Sequence, residues 1–141
     1  MPTDPADALA IEASLELAGE RDGDLTEAVY AILFAEQPEM QALFWRDGNG
    51  LIKGEMLMRV IEAILDFISE RRYAHMLISC EVVTHEGYDV PRQVFATFFG
   101  VVMRAVRSAC GETWTPAMDD AWRRLLADLD RYVRQPAAAA A

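Results

Sequence analysis

The sequence predicts an all-α protein of a single domain. Three long stretches repeat their apolar residues every three or four positions, which is the period of an amphipathic helix, and they cover residues 51–68, 92–110 and 116–133. No strand-like alternation and no internal repeat interrupts this pattern. A length of 141 residues fits one domain with one core. Together these observations favour about seven helices.

The first third of the chain predicts two helices, a short turn and a loop. Pro5–Ala18 has helical spacing, and Gly19 is expected to end it. Leu25–Glu36 forms a second helix. Pro38 opens a short third one, because proline is favoured at the first position of a helix. The glycine-rich run Asp47–Gly50 is expected to be a loop.

The middle of the chain predicts two further helices. The apolar face of the helix at 51–68 consists of Met56, Leu57, Val60, Ile61, Ile64, Leu65 and Ile68. Tyr73–His85 follows as the next helix. It must end before Pro91, because proline disfavours a helical residue in front of it and cannot continue a helix.

The last two helices have broad apolar faces. In Arg92–Cys110 that face is aromatic and β-branched, and we expect Gly111 to cap the helix. The final helix, Pro116–Val133, has Thr115 in the favoured N-cap position. We therefore place one domain at residues 1–134 and expect a disordered tail at 135–141.

Composition excludes several classes of partner. With 13 basic and 23 acidic residues the net charge is −10, which repels phosphate backbones and anionic lipid, so we expect no nucleic-acid and no membrane partner. The N-terminus has no signal-peptide pattern, and no apolar stretch suggests a membrane span. Cys80 and Cys110 are expected to be buried free thiols. We expect a cytoplasmic protein.

Residues that could carry chemistry are few. The chain has only His75 and His85, and a histidine on an apolar helix face is more often a hydrogen-bonded core residue than a ligand. His75 is out of phase with His85 and is expected at the surface. No Ser–His–Asp order, H-E-x-x-H motif or phosphate-binding glycine loop is present. The sequence therefore favours a function that depends on a bound cofactor.

Two segments of the first half resemble a single-domain bacterial globin. The run L-F-A-E-Q-P-E-M-Q-A-L-F, at 33–44, has Pro38 where globins start their short third helix. Six residues later Phe44 takes the place of the phenylalanine that stacks on haem. The run K-G-E-M-L-M-R-V-I, at 53–61, stands at the position of the distal helix.

Two segments of the second half extend this resemblance to roughly residues 17–129. The run V-V-T-H-E-G-Y-D-V, at 82–90, is similar to the end of the proximal helix, with His85 at the position of the iron ligand. The run G-E-T-W-T-P-A-M-D-D-A-W, at 111–122, is similar to the start of the last globin helix. Four such segments in the right order and spacing make the resemblance specific.

The resemblance implies a globin fold around a haem pocket, with haem b (iron protoporphyrin IX) as the cofactor and His85 as its iron ligand. It also implies that Phe44 stacks on the haem and that Val90 lies at the turn below the haem edge. Arg46 would hold a haem propionate, with a solvated surface charge as the alternative reading. The other wall residues implied are Leu57, Ile61, Phe95, Phe98 and Phe99.

A second group must orient the His85 ring. The candidates are Thr84 and the backbone carbonyl of Glu81 or Cys80. Many bacterial globins use a tyrosine at the start of the following helix, and the matching residue here is Phe95. Because Phe95 lacks a hydroxyl, we expect a less anionic proximal ligand and little peroxidase-like character.

On the distal side the resemblance implies that Tyr30 and Lys53 act on the bound ligand. Tyr30 lies 14 residues before Phe44, where a bacterial globin tyrosine donates its hydroxyl to that ligand. Lys53 takes the gate position. A charged Lys53 would reach solvent and pair with a propionate, whereas a neutral one could bind the iron itself; we favour the charged form. Met56 and Met58 are remoter candidates for an iron ligand.

The resemblance implies reversible binding of O₂, NO or CO. Alternatives are oxidation of nitric oxide and redox or ligand sensing, in which a separate reductase supplies electrons because 141 residues leave no room for a flavin or nicotinamide domain. A further alternative is a haem-free globin-fold sensor, a class that normally lacks the proximal histidine. The sequence leaves open whether the protein is an enzyme and whether it is a monomer or a homodimer.

Overall fold

The computed structural model describes residues 3–44, 47–48, 50–72, 74–87, 90 and 92–134, with the backbone alone at 75, 92, 93 and 134. Within these ranges 87% of the residues are helical and no strand occurs. The described helices are α1 (Pro5–Asp22), α2 (Thr26–Glu36), a 3₁₀ helix (Pro38–Phe44), α3 (Leu51–Ile68), α4 (Ala74–Gly87), α5 (Arg92–Cys110), a 3₁₀ turn (Gly111–Thr113) and α6 (Pro116–Arg134). The prediction of an all-α fold is confirmed.

Most helix limits agree with the sequence pattern, and α1 is the exception. It continues through Gly19 to Asp22, so the expectation that Gly19 ends it is wrong. The terminating residue is Gly23, whose positive φ of 67° suits glycine and whose N–H donates to the Gly19 carbonyl at 2.9 Å. At α6 the predicted cap is present, because the Met118 N–H donates to Thr115 Oγ1 at 3.1 Å.

The core lies where α1, α5 and α6 pack together. Trp122 of α6 is fully buried, and its indole N–H donates to Ser14 Oγ of α1 at 2.8 Å. The Ser14 hydroxyl in turn donates to the Ile11 carbonyl at 2.7 Å. Both polar groups are thus satisfied inside an apolar environment, which fixes the register of α1 on α6.

Helix α5 is central, since it packs against α1, α2, α4 and α6. This explains one departure from expectation: the segment Val94–Thr113 is long and apolar enough to span a membrane by length and composition, with a mean hydropathy of 1.3. Its residues Val101, Val102 and Val106 are fully buried against neighbouring helices. A helix covered on several sides is apolar for that reason.

The two cysteines differ. Both are free thiols; Cys110 is buried and Cys80 is exposed. The expectation that Cys80 is buried is wrong, because the buried side of α4 is formed by Ala74, Ile78 and Val82, and Cys80 lies off that side.

The joint between α3 and α4 is fixed by one carboxylate. Asp66, near the end of α3, accepts the backbone N–H of Ala74 at 2.7 Å and that of Arg72 at 3.1 Å. The Ala74 N–H is in the first turn of α4 and has no partner within that helix, and the Arg72 N–H lies in the connecting turn, so the carboxylate satisfies both. Asp66 thereby sets the direction in which α4 leaves the turn.

Candidate functional site

His85 lies in the last turn of α4 with its ring partly buried. Its Nδ1 atom is 2.7 Å from the Glu81 carbonyl oxygen, which can only accept, so Nδ1 carries the proton. No described residue hydrogen-bonds the other ring nitrogen, Nε2. The ring meets Phe95 of α5 edge-on, with centroids 4.9 Å apart. This geometry presents an oriented imidazole with a free lone pair.

The group that orients His85 is the Glu81 carbonyl, one of the three candidates. Thr84 does not take this role, because its hydroxyl donates to the Cys80 carbonyl at 3.0 Å. A threonine within a helix commonly bonds the carbonyl one turn back, which satisfies its hydroxyl locally. A negative group is also near: Glu81 Oε2 lies 3.5 Å from Nδ1.

Beyond the end of α4, Val90 is hydrogen-bonded back to His85. The Val90 N–H donates to the His85 carbonyl at 2.9 Å, and the Val90 side chain is buried. Val90 therefore lies beside the turn that follows the histidine. Phe99, one helical turn after Phe95 in α5, is buried, and the centroids of the two rings lie 6.2 Å apart.

A second group of aromatic rings forms where α2, the 3₁₀ helix and α5 meet; we call it the Tyr30 cluster. It comprises Tyr30, Phe34, Phe44 and Phe98. The centroid of the Tyr30 ring lies 5.4 Å from that of Phe44 and 5.8 Å from those of Phe34 and Phe98. Such tilted and edge-on contacts are favourable for aromatic side chains.

The Tyr30 hydroxyl is buried and has no hydrogen-bond partner among the described residues. The residue is 3% exposed, so bulk solvent does not reach the hydroxyl. Burial raises the pKa of the phenol well above its ordinary value, and the negative charge of Asp47 raises it further. Tyr30 is therefore a neutral hydrogen-bond donor aimed at nothing in the described protein, an arrangement that costs stability.

Lys53 lies next to this cluster, at the start of α3. Its Nζ is 5.6 Å from the centroid of the Phe44 ring and 3.4 Å from Asp47 Oδ2. Leu57 is buried one turn further along α3, and Ile61 is half-buried after it. The position predicted for Arg46 lies outside the described residues.

Two residues of the site escaped the sequence interpretation. Phe34 lies one helical turn after Tyr30, and that spacing could have indicated the contact. Asp47 was predicted only as part of a loop, and its side chain is 1% exposed. An aspartate a few residues ahead of a helix start is a possible capping residue, and this signal was available.

Comparison with known proteins gives one match. A family model described as Globin matches residues 27–131 of the chain. No curated protein and no solved structure matches it.

Proposed function

Because the chain belongs to the globin family, we propose that it holds haem b through His85 and reversibly binds O₂ or another diatomic gas. The family supports a haem-binding protein and gaseous ligands in general. The particular ligands and the residue roles rest on the contacts described above. Two free cysteines suit a reducing compartment, and we place the protein in the cytoplasm.

The residues present fit a haem. A haem is a flat, largely apolar group that needs one protein ligand to its iron and aromatic or aliphatic walls. His85 offers an Nε2 that no described residue engages, and Phe95 and Phe99 supply aromatic rings on its side. The Tyr30 cluster supplies a second set of aromatic rings. No group of three or more His, Cys, Asp or Glu residues that could hold a bare metal ion occurs in the described ranges.

When bound, the haem would supply an iron atom that can bind a diatomic gas. His85 contributes a neutral imidazole whose tautomer is set by the Glu81 carbonyl. Because the proton resides on Nδ1, the lone pair of Nε2 is available. The T-shaped contact with Phe95 restricts rotation of the ring.

The observation that carries the proposal is the unpaired hydroxyl of Tyr30. Native proteins rarely leave a buried hydroxyl without a partner, and such exceptions concentrate at functional sites. A gas molecule that gains partial negative charge on binding would accept this hydrogen bond. In a site without water the bond stabilises the bound ligand by about 1–3 kcal/mol.

The decisive experiment is an optical spectrum of the purified protein after haem supplementation, in the ferric, ferrous and CO-bound forms. We expect a Soret band in the wild type and its loss or strong weakening in His85→Ala, with partial rescue by added imidazole. The matched control is His75→Ala, which should retain haem. A normal spectrum of His85→Ala would reject the assignment, and no Soret band in the wild type would favour a haem-free sensor.

The second candidate is oxidation of nitric oxide, and the same hydroxyl favours it. The reaction converts NO and O₂ to nitrate and consumes one electron, which an electron donor such as a separate reductase would supply. Tyr30 would again hold the oxygen ligand by hydrogen bonding. Nitrate formation from NO under O₂ with an added electron donor, lost in Tyr30→Phe, distinguishes this activity from simple gas binding.

A further inference from the structure

Asp47 is unusually well anchored for a residue in a glycine-rich loop. Its Oδ1 accepts the Ile52 N–H at 2.9 Å, and its Oδ2 accepts the Lys53 N–H at 3.0 Å. Both donors belong to the first turn of α3, whose amides have no partner within the helix. These two backbone hydrogen bonds alone fix the position of the carboxylate.

The same carboxylate also holds the Lys53 side chain. Oδ2 lies 3.4 Å from Nζ, and the two side chains are 1% and 22% exposed. Oδ2 of Asp47 thus contacts both the backbone N–H and the side-chain Nζ of Lys53. Desolvation opposes ionisation of Asp47, but the two backbone N–H groups and the ammonium hold its pKa below the ordinary value of an aspartate.

Lys53 lies next to the Tyr30 cluster, so its contact with Asp47 bears on the proposed haem site. Its ammonium lies 5.6 Å from the centroid of the Phe44 ring, and Phe44 contacts the ring of Tyr30. The side chain is long, flexible and next to the proposed haem site. A neutral amine there is a possible iron ligand and would compete with the gas molecule, whereas an ammonium has no lone pair to donate.

We propose that Asp47 is a positioning residue that holds Lys53 as an ammonium at the edge of the Tyr30 cluster and so prevents its amine from binding the iron. This inference rests on the proposed haem site and adds to it a determinant of coordination. With Lys53 held in this ion pair, the iron of a bound haem would remain open to a gas molecule. Removal of the charge at residue 47 should release the side chain.

The test compares ferric spectra of the haem-loaded wild type, Asp47→Asn and the double variant Asp47→Asn/Lys53→Arg at one mildly alkaline pH. Asparagine keeps an oxygen that can cap α3 but carries no charge. We expect the wild type to be high-spin and Asp47→Asn to become mainly low-spin. The double variant should return to high-spin, because a guanidinium does not give up its proton.

The control is Asp66→Asn, which changes another buried aspartate that caps the start of a helix but lies at the far end of α3. It should keep the wild-type spectrum. Far-UV circular dichroism shows whether each variant is folded, and a charge-retaining Asp47→Glu variant should stay high-spin.

Three results would overturn the inference. They are a spectrum of Asp47→Asn identical to that of the wild type, a low-spin form that persists in the double variant, and a wild type already low-spin through Lys53. Failure of the wild type to take up haem overturns the proposed function itself, and the inference with it. If the wild type takes up haem normally but Asp47→Asn has the wild-type ferric spectrum, only the inference about Asp47 is overturned.

Discussion

At the scale of single residues, the site is defined by polar groups without a conventional partner. Among the described residues, the buried hydroxyl of Tyr30 has no acceptor, and only one of the two ring nitrogens of His85 is engaged. In an ordinary core, groups of this kind are satisfied, as the indole of Trp122 is by Ser14. The contrast between the Tyr30 hydroxyl and the Trp122 indole distinguishes the proposed haem site from the structural core.

Tyr30→Phe should have opposite effects on ligand binding and on stability. Loss of the hydroxyl removes the proposed donor to bound O₂, so stopped-flow measurements should show O₂ release at least several-fold faster. It also removes an unsatisfied buried group, so the free energy of unfolding of the apoprotein should rise by about 1 kcal/mol. Tyr132→Phe, next to Phe67, is the control. An unchanged release rate would remove Tyr30 from the site.

At the scale of elements, two helices supply different parts of the molecule. The 3₁₀ helix carries Phe44 in the Tyr30 cluster, where it is half-buried. Helix α6 carries Trp122, which is fully buried in the core. The first residue belongs to the proposed site and the second to the packing, so their removal should give different results.

Phe44→Ala should accelerate haem loss to an acceptor protein more than it destabilises the apoprotein. Trp122→Ala should lower the free energy of unfolding by about 3–5 kcal/mol, the usual cost of a large-to-small change in a core. Both are measured by urea denaturation of the apoproteins together with haem-transfer kinetics. Greater apoprotein damage from Phe44→Ala would show that Phe44 is a core residue first.

The sequence pattern located α3 and α5 to the residue, because their apolar period, the loop before α3 and the proline before α5 agree. It failed at Gly19, because a glycine can end a helix or lie within it at modest cost, and only tertiary contacts decide. It also missed the Asp47–Lys53 pair, since the capping signal of Asp47 does not reveal that its side chain is buried or which side chain it contacts. The spacing of apolar residues thus predicts helices well, but it does not predict whether a single polar residue is buried.

At the scale of the whole molecule, charge links stability to pH. Several carboxylates have a lowered pKa because of hydrogen bonds and ion pairs, namely Asp7, Asp24, Glu36, Asp47 and Asp119. Two of these pairs join helices: Asp7 pairs with Arg124 and Glu36 with Arg104. The ionised forms therefore stabilise the folded chain more than the unfolded one.

Stability should consequently fall in acid. A group whose pKa is lower in the folded state contributes fully above its unfolded pKa, and this contribution is lost as the pH falls through the folded value. The urea midpoint should hold above about pH 5 and decline once the pH drops below about 4. In Asp47→Asn the urea midpoint should decline less steeply in acid. A decline equal to that of the wild type would mean that ionised Asp47 does not stabilise the folded chain.

Helix α4, which carries His85, is anchored lightly compared with the rest of the molecule. Its buried side chains are few, and Met76 and Val83 are largely exposed, whereas α1, α5 and α6 enclose the core. Segments with little buried apolar surface open locally at low free energy. Amide hydrogen exchange should therefore show fast exchange in α4 of the apoprotein, and bound haem should slow it by mass action. Folding of α4 and retention of the cofactor then form one equilibrium, and unchanged exchange on haem addition would contradict this coupling.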